Sequence, residues 1–100
     1  MNPLEFGFDF VQVGSTSLVR TGACVLHTIT VNRLDAGTCV ASVYDGIDGT
    51  GTLIATIDLG VTDVVDLLVA TLILDVRCTT GIYVALTGSP TTASLTVTFR

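Results

Sequence analysis

The sequence predicts an all-β domain, an antiparallel β-sandwich of about eight strands in jelly-roll order, with an immunoglobulin-like sandwich as the alternative. Three observations carry this. Threonine and valine recur throughout, and their branched Cβ atoms suit a pleated surface. Glycines, Asp-Gly steps and a Ser-Pro step punctuate the chain at short intervals, the rhythm of strands and turns. Apolar and polar residues alternate with a period of two in several segments, and no segment shows helical periodicity.

The elements follow in chain order. Leu4 to Val13 alternates, with Leu4, Phe6, Phe8 and Phe10 on one face and Glu5, Gly7 and Asp9 on the other. Gly14-Ser15 ends it. Ser17 to Arg20 is a short strand. Ala23 to Asn32 follows, with Val25, His27, Ile29 and Val31 expected on one face and Leu26, Thr28 and Thr30 on the other. Asp35-Ala36-Gly37 is a turn. Thr38 to Tyr44 places Cys39, Ala41 and Val43 together. The loop Asp45 to Gly51 joins it to Thr52–Leu59, and so short a link implies an antiparallel hairpin. Leu53, Ala55, Ile57 and Leu59 are the expected inner row. Gly60 to Asp66 is a longer crossing. Leu67 to Arg77 is apolar on both faces, so it is expected to be covered on both. Ile82–Thr87 and Ala93–Arg100 are expected to pair through Gly88 to Thr92, with Leu95, Val97 and Phe99 inward. The missing tryptophan removes the immunoglobulin hallmark. Residues 1–14 read as an extended segment or arm and 15–100 as one sandwich domain.

Composition narrows the function. Hydrophobic residues make up 49% of the 100 and charged residues 13%, against about 25% charged in a typical soluble domain. A domain of this size has one core. No apolar run reaches the roughly 18–20 residues of a membrane-spanning helix, because Asp66, Thr71 and Asp75 interrupt the best candidate. Burial between subunits is therefore the expected sink for the excess. Net charge is −5, with four arginines and no lysine, which disfavours phosphate backbones and nucleic-acid binding. Residues 1–10 lack the charged and apolar regions of an export signal, so synthesis in the cytoplasm, with use there or release by lysis, is the expectation. The odd cysteine count, Cys24, Cys39 and Cys78, then reads as reduced, buried thiols.

No catalytic motif is present, so no enzymatic activity is expected. His27 is the one histidine and reads as a core or interface residue. Residues three apart on a regular strand face opposite sides, which separates Cys24 from His27 unless a bulge intervenes. A zinc site from Cys24, His27, Cys39 and Cys78 has the ligand count but not the knuckle spacing. Asp45 and Asp48 resemble part of a loose calcium loop without its ligand order; turn capping is the simpler reading. No metal or cofactor is expected.

The most informative feature is the row Leu4, Phe6, Phe8, Phe10, which holds three of the four phenylalanines. Either it is a strand packed on its own core or it is an arm that anchors on a neighbour. It is the candidate interface.

Ala-Cys-Val-Leu-His-Thr-Ile-Thr-Val-Asn (Ala23 to Asn32) precedes Val-Tyr-Asp-Gly-Ile-Asp-Gly-Thr-Gly-Thr-Leu-Ile-Ala-Thr-Ile (Val43 to Ile57). Gly-Ile-Tyr-Val-Ala-Leu-Thr-Gly (Gly81 to Gly88) and a Thr-rich last strand come later. This order resembles small tailed-bacteriophage virion proteins, in particular capsid decoration (cement) proteins, over residues 23–100. The resemblance implies a β-sandwich or jelly roll and a homotrimer on the capsid exterior. It also implies the major capsid protein as partner and no catalytic residue. The second class considered is a carbohydrate-binding or fibre-tip module, for which only Tyr44 and Tyr83 offer aromatic platforms.

Overall fold

A computed structural model describes residues 8–35, 37–60, 71–88 and 92–100. Leu4, Phe6 and residues 61–70 lie outside the described residues. Eight strands are present: β1 Asp9–Val13, β2 Ser17–Thr21, β3 Cys24–Arg33, β4 Cys39–Asp45, β5 Thr52–Asp58, β6 Thr71–Cys78, β7 Gly81–Gly88 and β8 Ser94–Phe99. They form two four-stranded antiparallel sheets packed as a sandwich. Sheet A has the order β1-β8-β3-β6 and sheet B the order β2-β7-β4-β5. The pairings nest, β1 with β8, β2 with β7, β3 with β6 and β4 with β5.

The core fills the space between the sheets. Val13, Leu26, Ile29, Leu95 and Val97 enter from sheet A, and Ala41, Val43, Ile82, Val84 and Leu86 from sheet B. Leu59, just after β5, is fully buried as well. The inner rows expected in β4 and β8 are observed, because both strands keep an unbroken period of two.

Four expectations are corrected. The first concerns β3. Its register slips between Leu26 and Thr28 against both neighbours. Against β8, β3 carries one extra residue, His27; against β3, β6 carries an extra residue of its own at Leu74–Asp75, where Asp75 has φ 48°. A bulge resets the phase of the alternation. Cys24 and Leu26 therefore point inward along with Ile29 and Val31, whereas Val25 and His27 point outward.

The second concerns β5. A slip between Val43 and Tyr44 makes Ile54 the extra residue. Ile54 and Ile57 pack on the core, and Leu53 turns outward with 54% of its surface exposed.

The third concerns β6. The apolar segment is not covered on both faces within residues 71–77. It is the outermost strand of sheet A, and Ile73 is 72% exposed. Its continuous hydrophobicity mimics a central parallel strand, but among the described residues it has a strand neighbour on one side alone.

The fourth concerns the C-terminal strands, which do not pair with each other. β7 lies between β2 and β4, and β8 lies between β1 and β3. The chain leaves β7 at Gly88, where φ is +101° and a Cβ would meet the Thr38 carbonyl oxygen at 2.4 Å. Only glycine fits both demands, and the chain crosses to sheet A there.

Asp35 pins this crossover. The turn aspartate is buried, with 1% of its surface exposed. Its Oδ1 accepts from Gly37 N at 3.0 Å. Its Oδ2 accepts from Thr92 N at 3.1 Å and Ala93 N at 3.4 Å. Its own N–H donates to the Leu59 carbonyl at 2.8 Å. A buried carboxylate is tolerable when it is hydrogen-bonded in this way.

Candidate functional site

Residues 9–13 of the proposed arm are an edge strand of the domain itself, paired with β8 from Asp9↔Phe99 to Val13↔Leu95. Val13 enters the core, so the alternate residues face away from it. Phe10 is 67% exposed on the outer face of sheet A. The reading in which the phenylalanines pack on their own core is corrected for Phe10. Val11 and Val13 take the inward positions instead.

Across that face the register builds two rows of four. One runs Phe10, Thr98, Thr28, Ile73; the other runs Gln12, Thr96, Thr30, Thr71. None of the eight is charged. Threonine hydroxyls link the strands, Thr28 to Thr98 at 2.5 Å and Thr30 to Thr71 at 3.0 Å. Asn32 Nδ2 donates to Thr96 Oγ1 at 2.6 Å. These cross-strand bonds give the hydroxyls partners within the face.

Charge gathers at one end of the face. His27, the bulged residue of β3, is half-buried there and not in the core. Its Nδ1 lies 2.5 Å from Asp75 Oδ1, so the two bulges meet through their side chains. Phe8 stacks on the imidazole, with ring centroids 4.1 Å apart and planes 11° from parallel. The Arg100 guanidinium lies 5.6 Å from the Phe8 centroid.

The outer face of sheet B carries a different row. Leu18, Tyr83, Tyr44 and Leu53 are successive register partners across all four strands. The tyrosine rings lie 6.4 Å apart at 49°. Leu18 and Leu53 are exposed at the two ends.

The metal-ligand candidates do not converge. Cys24 and Cys78 are direct register partners on the inner side of sheet A. His27 is on the outer side. Cys39 lies at the start of β4, remote from Asp45 at its end, and it is Asp45 that lies close to Cys78. Among the described residues no group of three or more such ligands is assembled.

The Asp45 carboxylate caps the link from β6 to β7. It accepts from Thr79 N at 3.0 Å, Thr80 N at 2.9 Å and Gly81 N at 3.3 Å. The Thr79 and Thr80 N–H groups hold its carboxyl below the ordinary carboxylate value. Asp48 closes its own turn by accepting from Thr50 Oγ1 and N, which lowers it in the same way. Asp48 thus caps its own turn as expected, whereas Asp45 caps the link from β6 to β7 and not its own loop.

Burial raises the thiols. Cys78 is pushed up to about 11, and Cys24 and Cys39 move in the same direction for the same reason. All three are free and buried.

No protein-family model, curated protein or solved structure matches the chain.

Three features escaped sequence reasoning: the outward turn of His27, the burial of Asp35 and the adjacency of Cys24 and Cys78. Each depends on a bulge or on a partner more than 40 residues away. Only Asp35 carried a local signal, its place before Ala-Gly in a turn.

Proposed function

We propose that this chain is a structural subunit, a capsid decoration (cement) protein of a tailed bacteriophage. In this reading it assembles as a homotrimer on the exterior of the head and braces the major capsid protein. It is made in the host cytoplasm, and the nesting of its strand pairs supports reading the sandwich as a jelly roll. The observation that carries the reading is the pair of uncharged rows across the outer face of sheet A, with Phe10 and Ile73 exposed at the two ends of one row. Exposed apolar side chains set in a flat, hydroxyl-satisfied field suit burial against another protein. The resemblance of residues 23–100 to decoration proteins supports the same reading.

A second reading is carbohydrate binding, favoured by the adjacent Tyr44 and Tyr83 on sheet B. Two aromatic faces on one sheet can stack against sugar rings.

Light scattering and co-sedimentation with undecorated phage heads separate the two. The expected result is a particle of several 10.4 kDa chains that sediments with heads and loses this on Phe10→Asp. Binding on a glycan array that Tyr44→Ala and Tyr83→Ala abolish would favour the second reading. A monomer that binds neither heads nor glycans would overturn both.

A further inference from the structure

We propose that Cys24 and Cys78 form a redox-responsive dithiol that closes reversibly into a cross-strand disulfide, clamping edge strand β6 to β3. The inference is independent of the virion reading.

Geometry comes first. Cys24 on β3 and Cys78 on β6 are direct partners in an antiparallel pair. Both residues are buried, with their side chains on the inner side of sheet A. Val25 exchanges both of its backbone hydrogen bonds with Arg100, the residue that follows β8, at 2.9 Å each. In an antiparallel sheet the next residue, Cys24, then turns its N–H and C=O toward β6. Such a pair has Cα atoms about 5.5 Å apart, within the roughly 4.4–6.8 Å that a disulfide spans.

Access comes second. A surface depression lined by Ala23, Cys24, Val25, Arg77, Cys78 and Thr79 opens over the pair. Cys24 retains 7% of its surface and Cys78 none. The Arg20 charge partly offsets the effect of burial on Cys24. Cys24 is therefore the attacking thiol and Cys78 the resolving one.

The oxidant is a small disulfide such as oxidised glutathione. The Cys24 thiolate attacks one of its sulfurs, forming a mixed disulfide and expelling one glutathione thiolate. Cys78, deprotonated, attacks Cys24 Sγ and expels the second. Two protein thiols lose two protons and two electrons, and one glutathione disulfide becomes two glutathiones. A reducing compartment leaves the pair open and an oxidising one closes it. Cys39, at the other end of β4, is an internal control.

The folded chain is incubated with oxidised glutathione, then unfolded and alkylated. The expected product has lost two hydrogens, retains one alkylatable thiol out of three and yields a Cys24–Cys78 peptide on non-reducing digestion. Dithiothreitol should restore all three thiols. Cys39→Ser should form the same bridge; Cys24→Ala and Cys78→Ala should not. A raised melting temperature in the oxidised chain, reversed by dithiothreitol, supports the clamp. The proposal is overturned if oxidation yields only stable glutathione adducts or intermolecular dimers. It is also overturned if oxidation requires unfolding, or if Cys24→Ala, still folded by circular dichroism, loses the same two hydrogens.

Discussion

β8 and β6 both pair with β3, and they could hardly differ more. β8 alternates apolar residues with threonine and serine, and buries Leu95, Val97 and Phe99. β6 is more continuously apolar, yet only Cys78 at its end is buried. Apolar content does not decide which strand becomes central. β8 has a strand on each side and a whole inner face against sheet B, whereas β6 has one strand neighbour among the described residues and carries a bulge at Asp75. The hydrophobicity of β6 is thus surface hydrophobicity, and an exposed apolar edge strand is a pairing site unless something shields it.

The comparison can be broken most forcefully at Phe99. Phe99→Ala should destabilise the protomer by about 3–5 kcal/mol, the usual range for a buried phenylalanine, measured by chemical denaturation. A loss no larger than that of a surface substitution would deny that β8 anchors the core.

A covalent tie on the edge strand comes next. Closing Cys24 to Cys78 should stabilise the chain by about 2–4 kcal/mol, seen as a higher denaturation midpoint that reductant abolishes. A gain near zero would mean that β6 was already as firmly held as β8.

Ile73→Thr should change protomer stability by less than about 0.5 kcal/mol, because the side chain is 72% exposed. The same change should weaken self-association or attachment to heads in sedimentation. A large loss of protomer stability would place Ile73 in the fold and not at an interface.

The smallest effect is expected at the link from β6 to β7. Hydrogen bonds from Thr79 and Thr80 lower the folded-state value of Asp45. A depressed carboxyl favours folding above its unfolded value, near about pH 3.9, and loses this as pH falls through the folded value. Asp45→Asn should therefore lag the parent most above about pH 4, with the gap narrowing in acid. Melting curves from neutral to acid pH test this; a gap that widens in acid would refute it.

Much of this was legible in the residues themselves. Strand content and most turns follow from Thr and Val frequency and from glycine placement. The inner rows of β4 and β8 follow from uninterrupted alternation, and the Asp48 turn from its Asp-x-Thr setting. Such signals are local, and each strand reports its own period of two.

The tertiary structure alone decided the rest. Alternation carries phase only as far as the next bulge, so His27 and Leu53 emerged on the opposite face from the one their neighbours implied. A five-residue link can make a hairpin or cross between sheets, and Gly88 with the Asp35 clip selects the crossing. Asp35 is buried because Thr92 and Ala93 arrive from 57 and 58 residues away to bond it. Cys24 and Cys78 face each other for the same reason: pairing partners are chosen by the winding of the chain, which no local window contains.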